Sequence, residues 1–213
     1  MLLLGFVPPD GAAFARLLQD LKADSWVTRS DDPDASAWLL QSAAAYYAVV
    51  VNSENQAKTV SVALRTDLQQ RPWVVDMLTG QPVEAQWQPD GQVTLSVALE
   101  PFWGRAIALL PQEPARLAVS TRRTVAAGRA HSYSVTLYDQ SGQPVAGRAP
   151  VELTVTDASG RERPEYGGYH VLQEGRLRRA VGLGRNDSAG RWTITARQPW
   201  TGLSARAEFT VTR

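Results

Sequence analysis

The feature that most limits what this chain can fold into is a two-residue rhythm of apolar and polar side chains, repeated in segment after segment. It is clearest near the C-terminus, where Leu203, Ala205, Ala207, Phe209 and Val211 alternate with Ser204, Arg206, Glu208 and Thr210. Successive side chains of a strand point to opposite faces, so this spacing predicts half-buried strands and gives a helix no apolar stripe. Val60, Val62 and Leu64 alternate in the same way with Thr59, Ser61 and Arg65, and Val93, Leu95 and Val97 with Gln92, Thr94 and Ser96. Tyr133, Val135 and Leu137 are opposed by Ser132, Ser134 and Thr136. Val151, Leu153 and Val155 are set against Glu152, Thr154 and Thr156, and Trp192, Ile194 and Ala196 against Arg191, Thr193 and Thr195. Ala45–Asn52, rich in Tyr and Val, reads as a strand buried on both faces.

Turn-forming clusters punctuate these runs at Ser53–Gln56, Thr79-Gly80, Gln88–Gly91, Asp139–Gly142, Ala158–Gly160 and Asn186–Gly190. With Pro72–Met77, Pro82–Trp87 and Gly104–Leu110 in the first half, and weaker strands at Tyr169–Leu172 and Leu177–Val181, the count is about eight strands before Pro111 and about seven after it. Short strands with turns between them predict an all-β chain of two consecutive antiparallel β-sandwiches, the second immunoglobulin-like, and not βαβ units. One short N-terminal helix is expected: Asp10 caps it, and Phe14, Leu17, Leu18 and Leu21 form one apolar face. The stiff segment Pro111-Gln-Glu-Pro114 marks a boundary, giving domains over 1–113 and 114–213 held nearly side by side. Charge changes sign at the same place, with 13 acids and 7 bases before it and 8 acids and 15 bases after it.

Several chemistries find no footing in the sequence. Cysteine is absent, which excludes disulfides, thiolate catalysis and cysteine-based zinc sites. No apolar run approaches the roughly 18 residues of a membrane span. Met1–Val7 is too short for a signal-peptide core, so any export signal is expected upstream in a longer protein. The two histidines, His131 and His170, have no metal spacing and read as surface or strand residues. No nucleophile elbow accompanies them. Asp76, Glu84 and Glu100 sit at turns or strand ends. Asp76 is better explained as an acceptor for backbone N–H groups near Gly80 than as half of a glycosidic pair. The acidic cluster Asp31, Asp32 and Asp34 lacks calcium-loop spacing, and Gly182-Leu-Gly184 lacks the context of a dinucleotide site. No catalytic residue, metal ligand or cofactor is therefore expected.

Two kinds of surface residue remain as candidates. Of the seven tryptophans, Trp26, Trp38, Trp87 and Trp192 occupy strand positions and read as core or domain contacts. Trp73, Trp103 and Trp200 are expected to be exposed and are candidate sugar-stacking residues. The basic second half includes Arg161 and Arg163 and offers a candidate anion-binding face of Arg122, Arg123, Arg176, Arg178 and Arg179. Such a face is either a solvated strand surface or a contact for an acidic polysaccharide, an envelope surface or the acidic first half. Nucleic acid is disfavoured, since no recognition helix or aromatic-laced basic motif is present.

Ala45-Tyr-Tyr-Ala-Val-Val-Val-Asn52, Val74-Val-Asp-Met-Leu-Thr-Gly80 and Leu95–Pro111 together resemble the C-terminal β-sandwich that follows the catalytic barrel of many glycoside hydrolases, over residues 25–111. Residues 115–213 resemble a bacterial Ig-like or macroglobulin-like domain. The likeness rests on Val125-Ala-Ala-Gly128, Leu137-Tyr-Asp-Gln-Ser-Gly142, Pro144-Val145, Val155-Thr-Asp-Ala-Ser-Gly160 and Asn186–Thr195. These resemblances imply a non-catalytic accessory region of a larger exported protein, secreted, periplasmic or at the cell surface. Its first sandwich would brace a barrel and its second would serve as spacer or docking module. The expected partners are upstream domains of the same protein, and beyond them carbohydrate or an anionic polymer. An extracellular adhesion module with no enzyme attached and a carbohydrate-binding module are the alternatives. The register itself is testable: Leu64→Asp or Phe209→Asp places an unpaired charge in a core, at a cost of several kcal/mol, and is expected to unfold its own half, as read by urea titration. A soluble, cooperatively unfolding Phe209→Asp chain would show that the alternation has been assigned to the wrong face.

Overall fold

Each alternating segment folds as a strand in a computed structural model that describes residues 28–213. The helix expected after Asp10, and Trp26, lie outside the described residues. The first half contributes β1 (Thr28–Ser30), β2 (Ala35–Ser42), β3 (Ala45–Asn52), β4 (Lys58–Arg65), β5 (Trp73–Asp76), β6 (Ala85–Trp87), β7 (Gln92–Leu99) and β8 (Gly104–Leu110). These form two four-stranded antiparallel sheets, β1-β4-β7-β6 and β2-β3-β8-β5. Between them lies a core that includes Tyr46, Val50, Val62, Leu64, Leu95 and Leu109. The boundaries of β2 are not marked by alternation, because Leu39 turns inward to this core while the adjacent Leu40 is exposed. Pro82 makes only a single bridge to Val75, and strand pairing resumes at Ala85. Proline lacks the N–H that a continuous ladder needs.

The chain leaves β8 at Leu110 and starts β9 (Pro114–Thr121). It continues through β10 (Thr124–Ala126), β11 (Ala130–Asp139), β12 (Arg148–Thr156), β13 (Gly168–Gln173), β14 (Arg176–Gly182), β15 (Gly190–Arg197) and β16 (Ser204–Thr212). These strands form one ladder in the order β10-β16-β15-β12-β13-β14-β11-β9. β13 and β14 meet only at Gln173 and Arg176, and there the ladder bends into two layers. As a result β9, at one end of the ladder, packs beside β16 and β15 near the other end. The enclosed core includes Val135, Leu137, Leu153, Trp192, Ile194 and Phe209. β10 and β16 run parallel, while the other described pairs are antiparallel. Among the described residues there is no α-helix, only a 3₁₀ turn at Pro164–Tyr166, so none that is long and apolar enough to cross a membrane.

Aspartates set the turns. Asp76 Oδ1 accepts from Leu78 N at 2.8 Å and Thr79 N at 2.9 Å, the role its spacing predicts. Asp139 and Asp157 repeat one another. Each Oδ1 accepts from the N–H and hydroxyl of the serine two residues on, and from the N–H four residues on. The Ser141 and Ser159 hydroxyls are the main reason both carboxyls are held below the ordinary aspartate range. A buried network ties the far end of the second sandwich. Asp187 accepts from Arg163 at 2.9 Å, Tyr166 at 2.7 Å and Gly184 N at 2.8 Å. The Arg163 guanidinium also covers the Trp192 ring at 5.4 Å.

The two sandwiches share a seam. Tyr46, Ala48 and Val50 turn one face of β3 into the first core, while Ala45 and Tyr47 turn the other toward the second sandwich. Ala45, Val75, Ala108 and Leu110 lie in the same apolar cluster as Val145 and Trp200. Tyr47 Oη accepts from Arg148 N at 2.5 Å and donates to Arg148 O at 3.0 Å. Trp200 Nε1 donates to Met77 O at 3.1 Å. At Gly147 (φ +82°) a Cβ would stand 2.3 Å from that of Ala45, so the backbones meet too closely for any side chain.

Candidate functional site

The candidate residues fall into a few separate places, and the structure corrects several expectations about them. Trp200, expected to be exposed, is 5% exposed and acts as a wedge in the seam. Its loop reads as surface in sequence, but the sheet of the other sandwich covers it. Trp73 is half-buried and packs on the same shared cluster. Only Trp103 is open, at 58%, beside the equally open Phe102 (φ +51°). It sits at the opposite end of the first sandwich, where its carbonyl accepts from Asn52 N. The three tryptophans therefore do not converge on one sugar platform. Trp192 is fully buried and Trp87 packs against the first core, as core residues should.

The acidic and histidine candidates are occupied by structural tasks. Asp32 pairs with Lys58 at 2.9 Å and Asp31 accepts from Ser61 N at 2.9 Å. Among the described residues no cluster of three or more His, Asp or Glu is arranged to hold a metal ion. Asp76 is buried and pairs with Arg105 at 3.3 Å, whereas Glu84 and Glu100 are exposed. His131 lies on β11 at 1% exposure, stacked on Phe209 with ring centroids 3.9 Å apart, its Nε2 2.6 Å from Thr121 Oγ1. Burial, and then the charge of Arg122, push its pKa down. Burial and then Arg179 do the same to His170.

The arginines divide. Strand alternation puts Arg176 and Arg178 on the outer face of the layer β14-β11-β9, and Arg122, one residue past the end of β9, lines a depression on that face. Arg122 and Arg178 line an open depression of about 580 Å³ whose floor includes Ser120, Ser132 and Ser134. Arg179 lies at its margin, but it alternates with Leu177 and Val181 toward the interior and donates to the His170 ring. Arg123 sits in the turn into β10, its carbonyl accepting from Thr210 N, and does not line the depression. Arg116, not singled out in sequence, belongs to the face and lies over the Tyr138 ring at 4.0 Å. Among the described residues no ion pair joins this face to the acidic first half. Every ion pair among the described residues joins groups within one sandwich, and none includes Arg116, Arg122, Arg176 or Arg178.

No protein-family model matches the chain, and no curated protein sequence matches it. Solved structures with similar stretches include the native α2-macroglobulin of E. coli, at 14% identity over 81% of this chain and 14% of that one, with a TM-score of 0.40. A Salmonella α2-macroglobulin follows at 18% identity, 82% and 14% coverage and a TM-score of 0.38. A β-glucosidase from Listeria innocua, bound to laminaribiose, shares 15% identity over 55% of this chain and 18% of that one, with a TM-score of 0.34. The chain thus spans less than a fifth of each.

The histidines make a pH prediction. Both are held neutral in the fold, so the unfolded chain binds protons more readily below about pH 6.5. Stability is then fully present above that pH and falls as pH drops toward the lowered folded values. The melting temperature is expected to decline between pH 7.5 and 5.5 by circular dichroism, and His131→Phe to reduce the decline. An unchanged slope in the variant would remove His131 from this role.

Proposed function

We propose that this chain is a non-catalytic accessory region of a larger exported protein of glycoside-hydrolase type. In this reading the first sandwich braces a catalytic barrel, and the second is a spacer or docking module fixed rigidly to it. The seam carries the reading. A brace transmits position only if its parts do not swing, and intrachain interfaces that are small and polar let domains move. Here apolar residues of one sheet are buried by the other sandwich, and two polar locks, Tyr47 to Arg148 and Trp200 to Met77, pin the orientation. The resemblance of residues 25–111 and 115–213 to a post-barrel sandwich and an Ig-like module supplies the context. Export to the periplasm, cell surface or medium belongs to the same proposal.

Calorimetry tests it with a matched pair of variants. Gly142 (φ +81°) and Gly147 (φ +82°) share the same positive φ, but a Cβ at Gly142 meets nothing within 4 Å. Both Gly→Ala changes therefore carry a similar left-handed strain, on the order of 1 kcal/mol, and only Gly147→Ala strikes the seam. The native chain and Gly142→Ala are expected to unfold in one cooperative transition, and Gly147→Ala in two. Two independent transitions in the native chain would reject a rigid brace.

A further inference from the structure

The outer face of the layer β14-β11-β9 has a build that the bracing role does not use. Between Ala130 and Tyr138, its outward positions on β11 are Ser132, Ser134 and Thr136, a row of short hydroxylated side chains. Long side chains flank the row on both sides. Arg176 and Arg178 stand on β14, opposite Thr136 and Ser134. On β9, Arg116 pairs with Tyr138, and Arg122 follows Thr121, the partner of Tyr133. Strands lie about 4.8 Å apart, so the two arginine rims are roughly 10 Å apart, and successive outward residues repeat about every 6.8 Å. The result is a shallow trough along β11, floored by hydroxyls and rimmed by guanidinium groups.

No outward position of this face on β9, β11 or β14 is acidic. The outer face of the opposite layer differs, since there Arg191 and Arg206 pair with Glu208. Arginines left without carboxylates, exposed and in rows, make a surface of positive potential that an anion can neutralise. The guanidinium fork fits a carboxylate through two parallel hydrogen bonds. Hydroxyls on the floor match sugar hydroxyls. The trough offers no open stacking platform for nucleobases, because Tyr138 is covered by Arg116 and Tyr133, which also lines the depression, is buried. It also offers no large apolar side chain to enter a lipid surface, Ala118 and Ala180 being the apolar residues there.

We propose that this trough binds a linear acidic polysaccharide carrying uronate carboxylates, with Arg122 and Arg178 as its principal anchors. This goes beyond the bracing role, and its failure would leave the rigid seam untouched.

Affinity electrophoresis of the full chain in gels containing polygalacturonate tests it. The chain is expected to be retarded by polygalacturonate, less so as salt rises, and not by the fully methyl-esterified polymer, which keeps the sugars and loses the charge. The Arg122→Gln/Arg178→Gln variant is expected to bind at least about tenfold more weakly, the scale of losing charge-assisted hydrogen bonds. The Arg191→Gln/Arg206→Gln variant, altered on the opposite face, is expected to bind as the native chain does. Absence of retardation would overturn the proposal, as would equal retardation by the esterified polymer or an equal loss in the opposite-face variant. Binding to dextran sulfate, duplex DNA or anionic phospholipid vesicles as tight as to polygalacturonate would also overturn it. The comparison of free and esterified polymer needs no variant, so it stands even if a substitution disturbs the fold.

Discussion

The structure depends on a single sheet, β2-β3-β8-β5, that is buried on one face by its own sandwich and over part of the other face by the next. Burying both faces of a strand requires side chains that are apolar in both directions, which explains why Ala45–Asn52 shows no polar alternation. It also requires small residues where another backbone approaches. Ala45 and Ala108 supply these on the sheet, and Gly147 supplies the matching absence of a side chain on the loop that meets it. The apolar interior thus continues from one sandwich into the other, and the connector from Leu110 to Pro114 has little conformational work left to do.

Polar groups are placed so that this arrangement costs little. Tyr47 hydrogen-bonds both backbone groups of Arg148, and Trp200 finds the Met77 carbonyl, so the half-buried Tyr47 ring and the buried Trp200 ring each have their polar end satisfied. The contacts that cross the seam are apolar packing and neutral hydrogen bonds. Among the described residues ion pairs stay within each sandwich, and Arg116, Arg122, Arg176 and Arg178 are left without carboxylate partners on a hydroxyl-rich outer face.

Much of this was legible from local pattern. A period of two fixes which side chains point inward, and Leu64, Trp192 and Phe209 are buried as that period requires. Asp76 and the paired Asp-x-Ser-Gly turns could be read because their chemistry spans only a few residues. What could not be read depends on distant segments. Trp200 sits in a Pro-Trp-Thr-Gly loop that looks exposed until a sheet more than a hundred residues earlier covers it, and Tyr47 meets Arg148 across a similar gap. Of the arginine candidates, Arg176 and Arg178 follow from alternation, whereas Arg122 and Arg123 both lie beyond the end of β9, where alternation ceases to apply, and only Arg122 lines the depression. Arg179 is the instructive case: its neighbours Leu177 and Val181 mark it as inward-facing, and the open edge between β13 and β14 gives its charged end room beside His170.

The central claim is that the two sandwiches hold one fixed orientation. Because the chain has no cysteine, spin labels can be placed at two exposed sites, Asn55→Cys at the far end of the first sandwich and Ser188→Cys at the far end of the second. Pulsed dipolar spectroscopy between them should give a single narrow distance distribution. A broad or multiple distribution in the otherwise native chain would contradict the account.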